Sequence, residues 1–424
     1  MTTFTDESIM LTLAALTYRG FQDVLGGRVH EGIVSGAVLG GLSTLPPVKN
    51  EWELAWGPAM DRAGGLTIDT NMMYVVRSRS APSRLVVAIR GTNPLSIPDW
   101  VFGDFWVGKT VDWPYATTND PAAISKSTAL GLRALQEMRS GPPAMDLVEK
   151  ASAFVTNTLA ALEHALRGGP ANQTDMPAWF TSQTQKIGQR WLDANTHPES
   201  FSVRLAKAPA APIAPANLRP KLDTQASAEG PHNLLSFLRA EAGRSGGTPL
   251  EVIVAGHSKG GALAQAVAVW LRDALDSGEP GESWDPSRSA RVACYAFAGP
   301  TPGDAGFARR IERTLGPNLR HLRNMNDIVT RAWQADELRG IPDLYGDRTA
   351  VFKPLVKLIV DDVAGLGYQH APPGVTPFKG ELGDGEGTST KRDFATEFVY
   401  QHLDGYLAKT KLHEVGIRAA TFFL

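Results

Sequence analysis

Residues 250–275 read LEVIVAGHSKGGALAQAVAVWLRDAL, and this stretch decides the fold. Leu250 to Gly256 form an apolar run of the kind that makes a strand buried on both faces. Residues 259–275 are rich in strong helix formers. Between them stands Gly256-His257-Ser258-Lys259-Gly260, a Gly-x-Ser-x-Gly pattern. The reason for the glycines is steric: a nucleophilic serine on a tight strand-to-helix turn leaves no room for side chains two positions to either side. Gly261, Ala262 and Ala264 then let the helix lie close to the sheet. The helix N-terminus points partial positive charge at the serine, which favours an alkoxide or oxyanion there. Gly243-Arg244-Ser245-Gly246-Gly247 fits the same pattern. It follows a helical segment and precedes Thr248-Pro249, so it reads as a loop.

Working outward, residues 72–79 and 84–90 are short, rich in β-branched residues and separated by Ala81-Pro82, as neighbouring strands would be. Further strands are expected at 291–299 and 319–324, and helices at 7–19 and 351–363. The later helix is expected to bury Val351, Phe352, Leu355, Val356, Ile359, Val360 and Val363 on one face. Strand, helix, strand in this order implies an α/β fold with a mostly parallel central sheet and flanking helices. From about 139 to 248 no strong strand pattern occurs. Helical patterns at 146–167 and 175–194, a Pro/Ala-rich extended linker at 206–221 and a helix at 231–242 are expected instead. The segment 139–230 reads as a mostly helical insertion, a cap over the serine, within one domain spanning 1–424.

Composition sets bounds. Of 424 residues, 43% are hydrophobic and 20% charged, which argues against wholesale disorder. A net charge of −2 gives no electrostatic footprint for nucleic acid. The lone Cys294 excludes an intrachain disulfide and a Cys-based zinc site. No metal or cofactor motif stands out, so none is expected. The opening MTTFTDESIM is acidic where a Sec signal is basic, and no apolar run is long enough to span a membrane. A soluble protein is expected, cytoplasmic or exported without a Sec signal.

Five blocks, in this order, resemble the class 3 lipase family of α/β-hydrolases: VVAIRGTNPLSIPDWVFGD (86–104), VIVAGHSKGGALAQ (252–265), YAFAGPTPGDAGFA (295–308), RNMNDIV (323–329) and QHLDGYL (401–407). Together the similar regions cover roughly 70–138 and 230–410. The chain departs from the family pattern in three places. Lys259 stands where the family usually has Leu. Ala129-Leu130-Gly131-Leu132 lacks a histidine found there, and Thr330 replaces a common proline.

In α/β-hydrolases the triad runs Ser, acid, His along the chain. Ser258 is the expected nucleophile. Asp327, just after the strand at 319–324, is favoured as the acid by that strand and by the resemblance, over Asp336 and Asp343. Three histidines follow: His370, His402 and His413. The resemblance implies His402 as the base, while His257 is expected to pack beside the serine. An oxyanion needs donors. The backbone N–H of Lys259 is one by motif, and Thr92 is the other by resemblance. Trp100 and Asp104 are expected to anchor the loop that carries Thr92. Trp106, Trp113 and Tyr115 in the lid-like stretch 106–124 either cover the site or pack into the core. The reading is a serine ester hydrolase acting on acylglycerols or related esters. Phospholipase A1 and feruloyl or polyester esterase are alternatives, and a catalytically silent hydrolase-fold binding protein is a rival of another class. An ester or lipid substrate is the expected partner, and the oligomeric state is open.

Overall fold

A computed structural model describes residues 4–19, 31–60, 71–91, 107–141, 185, 189, 196, 213–219, 221–223, 230–279, 281–371, 375–383, 392–419 and 421. Its centre is a seven-stranded sheet of β1 (Trp52–Met60), β2 (Met72–Ser78), β3 (Arg84–Ile89), β6 (Glu251–His257), β7 (Arg291–Phe297), β8 (Leu319–Asn324) and β9 (Val375–Phe378), in that spatial order. A small hairpin of β4 (Thr110–Asp112) and β5 (Ala123–Ser125) lies apart from it. The β1/β2 and β2/β3 pairs are antiparallel, and every pair from β3 to β9 is parallel. Arg84 to Ile89 pair in register with Glu251 to Gly256, so the early and late strand regions share one sheet.

Alternation along the central strands divides the core. Leu85, Val87 and Ile89, with Val252 and Val254, enter one apolar cluster. Val86 and Ala88, with Ile253 and Ala255, enter another on the opposite face. This is the period-2 pattern of a strand covered on both sides. Helices α3 (Lys126–Glu137), α4 (Leu234–Arg244), α5 (Lys259–Asp276) and α6 (Ala305–Leu315) supply the first cluster. Helices α1 (Asp6–Leu16) and α2 (Glu31–Thr44) and the C-terminal residues Tyr406, Leu407 and Leu412 supply the second. Each fully buried Val, Leu or Ile contributes about 1.5–3 kcal/mol. The helix starts carry side-chain caps: Thr5, Asn233 and Asp304 each accept from a backbone N–H of their own first turn.

Several elements differ from expectation. β1 and β9 are edge strands, and each contains a proline, at Pro58 and Pro377. Proline demotes a strand pattern but is tolerated at an edge. Helix α2, EGIVSGAVLGGLST, carries four glycines and little amphipathic contrast. The later helix, α7 (Lys353–Val363), starts two residues inside the expected span, and Val351 is 48% exposed instead of buried. Within the expected linker 206–221, Pro215–Leu218 form a 3-10 turn. Ile213 and Leu218 are buried in the main core, so this part is docked. The rest of 139–230 lies almost wholly outside the described residues, and the helices expected there lie outside with it.

Candidate active site

The turn between β6 and α5 holds Ser258 at φ 61°, ψ −132°. L-residues rarely adopt this region, and holding one there costs about 1–3 kcal/mol. The neighbouring glycines make it fit. A Cβ on Gly256 would lie 2.0 Å from the carbonyl oxygen of Gly260, and one on Gly260 2.5 Å from that of Ile89. A Cβ on Gly261 would lie 2.8 Å from the Phe297 oxygen. The Ser258 N–H donates to Phe297 O at 2.9 Å, tying the turn to β7. Serine commonly caps helices through its hydroxyl, but Ser258 makes no such bond at the start of α5. Its Oγ is buried and has no hydrogen-bond partner.

Asp327 sits in the turn after β8 and is wholly buried. Its Oδ1 accepts from the Val329 N–H at 2.9 Å. Its Oδ2 accepts from the Tyr406 hydroxyl at 3.0 Å and lies 2.9 Å from His402 Nδ1. The Tyr406 oxygen in turn accepts from the Asn324 N–H at 2.9 Å. His402 lies in a π-helical turn, Tyr400–Asp404, between helices Phe394–Val399 and Gly405–Lys409. Such a bulge inside a helix often marks a functional position. Phe398 stacks on the His402 ring, with centroids 6.1 Å apart and planes 16° apart. With Nδ1 engaged by the carboxylate, Nε2 is the remaining nitrogen, and it too is buried without a partner. Asp327 and His402 thus meet directly. Ser258 is joined to them through its neighbour His257, whose Nε2 lies 2.8 Å from the His402 carbonyl oxygen.

Lys259 opens α5, a position whose N–H a helix leaves without an intrahelical acceptor. Beside it, a small cavity is bordered by Ser127, Thr128, Lys259, Leu263, Thr301 and Trp333. Gly91 ends the described chain after β3, and a Cβ there would come within 3.0 Å of Ser258 Cβ. The backbone leading into Thr92 therefore reaches the serine, while Thr92, Trp100, Asp104 and Trp106 lie outside the described residues.

The rival residues lie elsewhere. His370 Nε2 is 2.9 Å from Thr330 O, and its ring lies tilted against that of His321, with centroids 5.2 Å apart. Burial, Arg323 and His321 hold its pKa well below the ordinary imidazole value. His413 is exposed, with Nδ1 3.5 Å from Leu407 O. Asp336 is exposed and paired with Arg339, and Asp343 is exposed in a 3-10 turn. Ser245 caps the C-terminal end of α4 and follows no strand. Trp113 is 1% exposed, donates from Nε1 to Asp273 Oδ2 at 2.7 Å and packs on Phe307. Tyr115 donates to Glu282 at 3.1 Å. Both pack into the body of the protein instead of forming a cover. Cys294 is buried in β7. Among the described residues, no group of three or more His, Cys, Asp or Glu could hold a metal ion, and no helix is long and apolar enough to cross a membrane.

Sequence reading missed the roles of Tyr18 and Tyr406 and the π-turn. Tyr406 stands four residues after His402, close to one helical turn on, and that spacing was the available signal. Tyr18 gave no such sign, since its partner is 239 residues away.

Comparison with known proteins bears on the fold and on a part of the sequence. Residues 235–336 match the family "Lipase (class 3)". The crystal structure of M37 lipase superposes with a TM-score of 0.68 at 23% identity, covering 99% of this chain and 98% of that one. This likeness carries the α/β-hydrolase fold. Among curated proteins, "Galactolipase DONGLE, chloroplastic" of Arabidopsis thaliana is 32% identical over 98 residues. "Lipase-like PAD4" of the same plant is 35% identical over 82. These matches span 23% and 19% of this chain and 20% and 13% of the relatives, so the similarity covers a fifth or less of their length.

Proposed function

We propose that this chain, which has the α/β-hydrolase fold, is a member of the class 3 lipase family and a serine hydrolase of carboxylic esters, acting on acylglycerols or related acyl lipids. The observation that carries the reading is the 2.9 Å contact of His402 Nδ1 with buried Asp327, beside a strained Ser258 whose Oγ has no partner. A carboxylate on Nδ1 fixes the tautomer that leaves Nε2 as an acceptor, the state a general base needs. Ser258 Oγ attacks the ester carbonyl while His402 Nε2 takes its proton. The resulting oxyanion is met by the Lys259 N–H and by Thr92, each donor being worth about 2.7–4 kcal/mol in the transition state. The imidazolium then protonates the leaving alcohol. Water, deprotonated by the same nitrogen, releases the acyl group from Ser258 and restores the resting state. The galactolipase relative, by its name, acts on a lipid ester, which supports the substrate class.

p-Nitrophenyl esters of graded acyl length test this. The wild-type chain is expected to hydrolyse them, with a preferred acyl length. Ser258→Ala is expected to lower kcat by about 10⁴-fold or more with the fold retained. Wild-type turnover in that variant would sink the serine mechanism. A folded wild-type chain inert toward the whole series would favour the silent binding protein.

A further inference from the structure

No hydrogen bond joins Ser258 to His402. Oγ and Nε2 are each buried and unpartnered, so their separation is set by what holds their backbones. Asp327 orients the His402 ring. The backbone from which that ring hangs is held elsewhere, and His257 is the residue that reaches it.

His257 is 3% exposed and precedes the nucleophile directly. Its Nε2 is 2.8 Å from the His402 carbonyl oxygen, 145 residues along the chain. A carbonyl only accepts, so Nε2 carries the proton. Nδ1 of the neutral ring is then an acceptor, and the Tyr18 hydroxyl lies 3.1 Å from it. That hydroxyl is also 3.3 Å from the His257 carbonyl oxygen. Burial first, then neighbouring His402, hold the His257 pKa well below the ordinary imidazole value, so the ring stays neutral. The ring lies 4.8 Å from that of His402 and edge-on to Tyr406 at 5.9 Å. Tyr406 holds Asp327. His257 therefore touches the surroundings of all three members of the site: by covalent bond to Ser258, by hydrogen bond to His402, and by packing on the tyrosine that holds Asp327. Tyr18, just beyond α1, packs where β3 ends, since a Cβ on Gly91 would meet its hydroxyl at 2.3 Å.

We propose that His257 is a positioning residue for the hydrolysis assigned above: its Nε2–H bond to the His402 carbonyl sets the reach between base and nucleophile, and Tyr18 holds the ring from its Nδ1 side. The proposal rests on the serine mechanism. A displacement of about 1 Å at a reacting pair costs about 10²-fold in rate. His257 touches no substrate atom, so the loss should fall on kcat and leave KM nearly unchanged.

The test uses the full chain and one p-nitrophenyl ester. His257→Leu is expected to lower kcat about 100-fold with KM within about twofold. The far-downfield NMR resonance of the His402–Asp327 proton should persist, because that pair is intact. His257→Gln places an amide N–H near the position of Nε2 and is expected to recover most of kcat. His257→Asn, whose amide falls short, is expected to stay low. Tyr18→Phe is expected to give a smaller kcat loss, about tenfold. Wild-type kcat in His257→Leu, or equal rates in the Gln and Asn variants, would overturn the proposal. If the Leu variant does not fold, the Gln and Asn pair decides alone. Failure of the serine mechanism is seen separately, as activity surviving Ser258→Ala.

Discussion

Three donors converge on one buried carboxylate: the Val329 N–H, the Tyr406 hydroxyl and His402 Nδ1 all reach Asp327. A carboxylate so held keeps the imidazole in one orientation, and that is the physical ground for choosing His402 as base. His370 offers no such ground, because its Nε2 is committed to the Thr330 carbonyl. His402→Ala is therefore expected to lower kcat by about 10⁴-fold or more, while His370→Ala changes it by less than about tenfold. Steady-state kinetics on the pair, with circular dichroism to show that each is folded, decides the point. Comparable losses in both would contradict the assignment. Ser258, Asp327 and His402 could be proposed from the sequence because the first stands in a Gly-x-Ser-x-Gly turn and the other two stand in blocks that resemble the family's, and the structure brings Asp327 and His402 into contact. Tyr18 could not, since its hydrogen bonds depend on how α1 docks against the elbow, a contact over 239 residues.

The strand–turn–helix from β6 to α5 was readable because steric exclusion writes glycine into fixed positions. The two Gly-x-Ser-x-Gly copies give a controlled contrast. A Cβ on Gly256 would meet backbone at 2.0 Å, whereas one on Gly243, inside α4, meets nothing within 4 Å. Gly256→Ala is expected to destabilise the chain by about 3 kcal/mol or more. Gly243→Ala is expected to stabilise it by up to about 1 kcal/mol through helix propensity. Urea unfolding of the two variants measures this, and equal midpoints would count against the elbow geometry. Other elements were hidden for reasons the structure makes plain. β1 and β9 carry prolines that only an edge strand accepts. Trp113 stayed open between cover and core, because an aromatic in a polar stretch fits either, and its bond to Asp273 makes it a buried anchor. The π-turn at His402 has no sequence signature of its own; it coincides with the residue whose ring meets Asp327.

At the scale of the whole molecule, the shared register of β3 and β6 unites strands separated by about 160 residues. The motif order already implied this, because Gly91-Thr92 and Ser258 had to meet. The same core buries three histidines in neutral form. Burial, with Arg323 next in effect, pushes His321 down to about 3, and His257 and His370 are also held well below 6.5, mainly by burial. The unfolded chain protonates them near pH 6.5, so it binds more protons than the folded chain below that value. Stability is therefore expected to fall as pH falls through 6.5, by up to about 1.4 kcal/mol per pH unit for each histidine. Thermal unfolding between pH 7.5 and 5.5, where ordinary carboxylates stay ionised, should show a lower Tm at each acidic step. A Tm that is flat or rises on acidification over that range would contradict the buried neutral histidines.

All of these scales meet at one oxygen atom, the Ser258 Oγ. Treatment of the full chain with a p-nitrophenyl alkylphosphonate, followed by peptide mass spectrometry, tests its role most directly. The account predicts a single stoichiometric phosphonyl adduct on the peptide containing Ser258, complete loss of esterase activity in step with labelling, and no adduct in Ser258→Ala or in the second motif at Ser245. Labelling at another residue, or ester turnover that persists in the fully labelled protein, would contradict it.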